Sequence, residues 1–252
     1  MSTGLEGRSV IVTGAGSGTG RAAAMRFARE GAYVLVADLR RTGAEETVKA
    51  VAEVGGTALA VVGDLSDQRV VDQVVDTAVE AFGGVDVLVH NAAIMDRMSV
   101  VSETGDAEWY RVVEVNLTAP FLLTRAVLPH MMAEGRGSIV FTAAEAGLRG
   151  SIAGAACTAS KHGVIGLVRS LAVTYLGVGI RTNAIAPGGG TDFPNAAVSE
   201  VHGDNVLAPR FGGTSRVASV EEQAAAIVFL ASDAAAHING TVLPVDEGWS
   251  AA

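Results

Sequence analysis

The residues best placed to do chemistry begin at Thr13-Gly14-Ala15-Gly16-Ser17-Gly18-Thr19-Gly20, a glycine cluster between a β-branched apolar run and a helical segment from about Arg21 to Glu30. Glycines let a backbone close on a pyrophosphate, while free N–H groups and the positive helix end face the anion. A tight turn alone accounts for such a cluster; its place between strand and helix points to the phosphate-binding reading. Eighteen residues past Gly20, Asp38 closes the second apolar run. A carboxylate there accepts hydrogen bonds from both adenosine ribose hydroxyls and repels a 2′-phosphate. Arg40 and Arg41 follow and would suit NADP, yet the glycine loop carries no basic residue. The pattern predicts NAD, with the two arginines read as a solvated helix start.

These groups need a scaffold, and the apolar runs supply one. Val10–Thr13, Tyr33–Ala37, Ala58–Val62, Val85–Val89, Ser138–Thr142, Arg181–Ala186 and Thr241–Val245 are apolar on both faces, as strands covered by helices on each side are. Alternating with helix-period segments, they predict a single-domain α/β fold over residues 1–252, a Rossmann-type doubly wound, seven-stranded parallel sheet. The one long irregular stretch, about Gly188 to Ser215, is the candidate substrate loop. Segments Ala119–Met132 and Thr158–Tyr175 are apolar on more than one face, which fits either deep packing on the sheet or an oligomer interface.

Composition narrows the function classes. The 252 residues are 49% hydrophobic and 18% charged, which excludes a disordered chain. The formal charge of −9 repels nucleic acid and anionic membrane surfaces, so neither is an expected partner. A lone Cys157 forms no internal disulfide, and zinc or redox CxxC pairs are absent, so no metal is expected and a reducing compartment fits. The first residues carry no apolar leader, and apolar runs such as Ala225–Ala231 fall short of a membrane span. The expectation is a cytoplasmic protein.

Further motifs, in order, are Asp64-Leu65, Asn91-Ala92-Ala93, Asn116-Leu117, Ser160-Lys161, Asn183, Pro187-Gly188 and Val245-Asp246-Glu247-Gly248. With the Thr-Gly-x-x-x-Gly-x-Gly loop they resemble the classical short-chain dehydrogenase/reductase family over essentially the whole chain. The resemblance implies a nicotinamide cofactor bound by Gly14, Ser17, Gly18, Thr19, Gly20 and Asp38, with Asp64 and Leu65 flanking its adenine. It also implies that Asn91 and Ala92 lie near the nicotinamide ribose, that Pro187 and Gly188 receive the ring, and that Thr191 reaches the carboxamide. Family chemistry passes a hydride between nicotinamide and a carbonyl or alcohol carbon, and the family's four-helix interface implies a homotetramer.

The resemblance breaks at the proton-handling positions. The family uses a tyrosine as acid or base, a lysine four residues later, a serine thirteen residues before it, and an asparagine that holds a relay water. Asn116 and Lys161 match; Cys157 stands for the tyrosine and Ala144 for the serine. Cys157 is either a substitute donor, its thiol lowered further by Lys161, or a buried spacer whose sulfur stops a phenol ring short. Glu145 is either a base beside the nicotinamide, if burial raises its pKa, or a solvent-facing carboxylate. His162 follows Lys161 on another helix face and reads as structural. The Gly188-Gly189-Gly190-Thr191-Asp192 turn is one residue short before its threonine.

Two functions follow. One is an NAD(H)-binding oxidoreductase acting on a small carbonyl or alcohol compound, by atypical hydride transfer or a redox-neutral step. The other is an inactive homologue that serves as a cofactor-binding or partner subunit.

Overall fold

The computed structural model describes residues 3–150, 152–188 and 217–251. Strands β1 (Ser9–Thr13), β2 (Tyr33–Asp38), β3 (Thr57–Val62), β4 (Val87–His90), β5 (Gly137–Thr142), β6 (Ile180–Pro187) and β7 (Val242–Val245) form one sheet. Every pairing is parallel and the order is β3-β2-β1-β4-β5-β6-β7. The doubly wound sheet read from the sequence is therefore present. Its order reverses between β1 and β4, which opens a crevice at the carboxyl ends of those strands.

Helices α1 (Gly18–Arg29), α2 (Arg41–Glu53), α3 (Gln68–Phe82), α4 (Asp106–Val113), α5 (Ala119–Glu134), α6 (Ala155–Thr174) and α7 (Val220–Ala231) cover the sheet. Strand side chains alternate between two cores. Val10, Val12, Val34 and Val36 pack with Phe27 and Ile227 on the α1 and α7 side. Ile11, Leu35 and Leu88 pack with Val74, Leu123 and Val168 on the α3, α5 and α6 side. Each fully buried branched side chain contributes about 1.5–3 kcal/mol, so the central strands anchor the crevice firmly.

Three sequence expectations shift. Not every strand is covered on both faces: in β3, at the sheet edge, Thr57, Leu59 and Ala60 are exposed and only Val61 is buried. Helix α6 starts at Ala155, not at Thr158, because its first turn is capped from outside. The Asp96 carboxylate accepts the Gly154 and Cys157 N–H groups at 3.1 and 2.8 Å. Third, α4 and α5 run together through a π-helical turn at Glu114–Thr118. The resulting helix, Asp106–Glu134, is long and apolar enough by length and composition to cross a membrane, which the short uncharged runs did not suggest. Its inner face, through Val112, Leu123, Val127 and Met131, is buried as ordinary core.

The outward faces of these helices remain apolar, with Phe121 45% and Val173 78% exposed. Of the expected substrate loop only Gly188 belongs to the described residues; the rest, with Thr191, lies outside them.

Candidate active site

A cleft of about 500 Å³ lies in the crevice between β1 and β4. Gly14, Ser17, Gly18 and Thr19 wall one side, and Asp38, Asp64, Leu65, Asn91 and Ala92 complete the part expected from the sequence. Gly20 does not line it but makes it possible. A methyl at Gly20 would stand 2.2 Å from the Gly14 carbonyl oxygen and 2.6 Å from Asn91 Nδ2, so no other residue fits. Asn91 donates to the Gly14 carbonyl at 3.3 Å, while Thr13 Oγ1 accepts the Asn91 and Ala92 N–H groups at 3.0 and 3.1 Å. Thr19 Oγ1 is bound to Gln223 Oε1 of α7 at 2.9 Å. The loop is thus held from β1, β4 and α7, with its backbone turned to the cleft.

At the far end, Asp38 accepts the Gly16 N–H at 2.8 Å and the Arg40 N–H at 2.8 Å. A carboxylate has about four lone-pair sites, so two remain for ribose hydroxyls. Arg40 is solvated and starts α2 as expected, and in addition its guanidinium donates to Ser17 Oγ at 2.7 Å beside the cleft. Arg41 is solvated and pairs with Glu45. Arg111, unremarked in the sequence, reaches from α4 to Asp64 Oδ2 at 2.5 Å and to Glu114 at 2.9 Å. Burial pushes the Asp64 carboxyl up, but hydrogen bonds from Ser66 and Arg111 outweigh it and hold it below the ordinary range. No sequence signal marks Arg111, because its partner is 47 residues away.

The residues at the positions expected to handle protons lie beside the cleft. Asn116 sits in the π turn, a local overwinding that recurs at functional sites. It is buried, accepting the Ile94 N–H at 2.8 Å and donating to the Ile94 carbonyl at 2.9 Å. Lys161 Nζ donates to the Thr142 carbonyl at 2.9 Å, and burial lowers its pKa. His90 lines the cleft as a neutral ring: burial takes its pKa down to about 3, with Thr124 Oγ1 2.8 Å from Nε2. His162 is exposed and bonded to its own helix at Thr158.

Cys157 departs from one expectation. Its thiol is not lowered: burial raises it, the Asp96 charge raises it further, and Lys161 only partly offsets both. The sulfur is buried 3.5 Å from the Ile94 carbonyl and 3.7 Å from Asn116 Nδ2. Ala144 is half-buried at the end of β5.

Glu145 is wholly buried, which removes the solvent-facing alternative. Nor is it among the cleft-lining side chains; it lies against Gly188, with Arg149 Nε donating to Oε2 at 3.0 Å. Burial raises its pKa, opposed by Arg149 and reinforced by Asp246. Among the described residues no three His, Cys, Asp or Glu side chains gather for a metal ion.

A doubly wound sheet with a glycine loop and a carboxylate facing its switch-point crevice defines the class of dinucleotide-binding α/β proteins. The chain matches the short chain dehydrogenase family over residues 8–200, and it belongs to that family. It is 37% identical over 250 residues to 3beta-hydroxysteroid dehydrogenase 2 of Eggerthella lenta, covering 98% of this chain and 96% of the relative. It is 41% identical over 244 residues to cis-4-hydroxycyclohexanecarboxylate dehydrogenase of Sinomonas cyclohexanicum, covering 97% of each. The crystal structure of levodione reductase superimposes with a TM-score of 0.89 at 37% identity, covering 98% of this chain and 99% of that one. Among similar solved structures two hold NADP and one holds NAD+.

Proposed function

We propose that this chain is an NAD(H)-dependent oxidoreductase of a ring-borne secondary alcohol or its ketone, with a non-standard proton-handling site. One observation carries the reading: Lys161 and Asn116 stand beside a cleft built for a dinucleotide, while Ala144 and Cys157 occupy the positions of the family's serine and tyrosine. The dinucleotide fits what is present, because Gly20 leaves room for close backbone approach and Asp38 keeps acceptor capacity at the far end of the cleft. Bound NAD supplies the hydride acceptor.

In this reading Gly14, Ser17, Gly18 and Thr19 face the pyrophosphate, Asp38 the adenosine ribose, and Asp64 with Leu65 the adenine. Asn91 and Ala92 line the nicotinamide ribose, which Lys161 orients, and Pro187, Gly188 and Thr191 receive the ring. Asn116 holds a water through which an alcohol proton leaves. The ring alcohol is suggested by the two relatives, whose names both place a hydroxyl on a carbocycle. The buried Cys157 thiol, held high, suits a reducing cytoplasmic setting, and the apolar outward faces of α5 and α6 suit a homotetramer.

The second reading, an inactive cofactor-binding partner subunit, is favoured by the Cys157 sulfur, which is engaged with Ile94 and Asn116. The deciding experiment follows NADH formation with cyclohexanols and 3-hydroxysteroids alongside calorimetric NADH binding. Binding with turnover supports the oxidoreductase; binding without turnover on every alcohol and ketone supports the subunit; no binding sinks both.

A further inference from the structure

The buried carboxyl of Glu145 is the group that this function leaves unused. One of its oxygens takes the Arg149 N–H; the other, Oε1, is buried and meets no hydrogen-bond donor among the described residues. Within hydrogen-bonding reach lies a second carboxyl, Asp246, from the segment after β7, itself 4% exposed. Asp246 accepts the Gly248 N–H at 2.9 Å and the Ser250 N–H at 2.8 Å. Two carboxylates in contact and out of water do not both ionise, and the one richer in N–H donors keeps the charge. We propose that Glu145 and Asp246 hold one proton between them, and that this pair is the positioning device for the Pro187–Gly188 turn, on which cofactor binding depends.

Among the described residues the charges facing Glu145 are few. Arg149 lies one turn further along its own loop, and Asp246 lies across from it. Helix α6 packs on the same loop through the Lys161 carbonyl, 2.8 Å from where a methyl on Gly147 would stand, but the Lys161 ammonium is turned to Thr142. With both carboxyls ionised the set carries net −1; with Glu145 protonated it is neutral, and Oε1 gains a role as the O–H that Asp246 accepts.

The pair carries the turn directly. A methyl on Gly188 would lie 2.4 Å from Glu145 Cγ, 3.0 Å from Asp246 Cβ and 3.1 Å from Trp249 Cε3. Arg149 completes the support, donating to the Trp249 carbonyl at 3.2 Å with its guanidinium carbon 5.0 Å from the ring centroid. When Glu145 gives its proton to solvent, two like charges meet behind Gly188. They separate, and the turn resting on them moves.

The inference rests on the cofactor reading above, and the test separates the two. NADH affinity is measured by fluorescence titration from about pH 5 to about pH 10 on the full chain, with melting temperature recorded in parallel. The expected wild-type result is an affinity loss of roughly tenfold or more with rising pH, one unit of differential pKa being about tenfold in binding. Glu145→Gln, whose amide donates to Asp246 at every pH, should bind as at low pH throughout. Asp246→Asn leaves no second charge behind Gly188, so the affinity loss with rising pH should disappear, which loss of a merely structural contact would not do. Coincident wild-type and Gln curves, or an Asn curve that keeps the wild-type loss, overturn the pair while the cofactor reading stands. If the Gln variant does not fold, the Asn curve decides alone. Absence of NADH binding at any pH overturns the cofactor reading and the positioning role together.

Discussion

The Asp96 carboxylate accepts the backbone N–H of Cys157 at 2.8 Å, so the residue in the family's tyrosine position is fixed by a charge from a loop 61 residues away. The same carboxylate takes the Met98 and Gly154 N–H groups, both at 3.1 Å. It therefore starts helix α6 and, after burial, is the next influence that raises the thiol's pKa.

Removing that charge should separate its two effects. Asp96→Ala leaves buried N–H groups unpaired and should cost about 2–4 kcal/mol of stability, read by urea unfolding. Asp96→Asn keeps an acceptor but not the charge, so the Cys157 pKa should fall, seen as thiolate absorbance appearing at lower pH. An unchanged thiol titration would show that burial alone sets it.

Cofactor choice should lie with Asp38 and Arg40. Calorimetric titration should find NADH bound more tightly than NADPH, and Asp38→Ala should narrow the gap by removing the repulsion from a 2′-phosphate. Arg40→Ala should weaken NADPH by roughly tenfold, the scale of one charge-assisted hydrogen bond, with little effect on NADH. NADPH bound more tightly than NADH by the unaltered protein would reverse the assignment.

Turnover should be limited by proton handling. The double change Ala144→Ser plus Cys157→Tyr should raise NAD-dependent alcohol oxidation at least roughly a hundredfold, the lower bound for one positioned general acid or base. NADH affinity should be nearly unchanged, since neither residue lines the cleft. A wild type that already turns over at roughly 10 s⁻¹ would mean that another group does the tyrosine's work.

Assembly is open to a surface substitution. Val173 is 78% exposed on α6, so Val173→Glu should be harmless to an isolated chain and disruptive to a tetramer built on that helix. Light scattering should find four chains for the unaltered protein and fewer for the variant. A wild-type mass near 25.6 kDa would remove the interface.

Stability should fall as pH rises in a defined way. The folded-state pKa of Glu145 lies above its ordinary value because burial disfavours the charge. A raised carboxyl binds more protons folded than unfolded, so its contribution is complete below the unfolded pKa of about 4.3 and is lost as pH climbs through the folded value. Melting temperature against pH should show that loss in the wild type and lack it in Glu145→Gln.

What could be read from sequence divides along a physical line. Short β-branched runs ended by Gly, Asp or Asn reported all seven strands, and local spacing reported Gly20 and Asp38, because those signals are carried by neighbours in the chain. The first turn of α6, the Arg111 bond to Asp64 and the burial of Glu145 under Gly188 depend on residues 40 or more positions apart. Arg40 is the solvated helix start its sequence context suggests, and what the chain-local signal does not carry is its bond to Ser17. Spacing singled out Ala144 and Cys157 but carried no sign that the Cys157 sulfur is engaged with Ile94.

The glycine loop is tied at Thr13, Asn91 and Gln223 without any ligand to order it. An anion arriving at that loop would meet a backbone already tied in place, so its association should approach a diffusional encounter with little ordering cost. If a dinucleotide binds as proposed, its residence time would be decided at the other end, where the nicotinamide would settle on the Pro187–Gly188 turn. The two halves of one cofactor would then answer to different variables, the first to a loop tied in advance and the second to proton concentration.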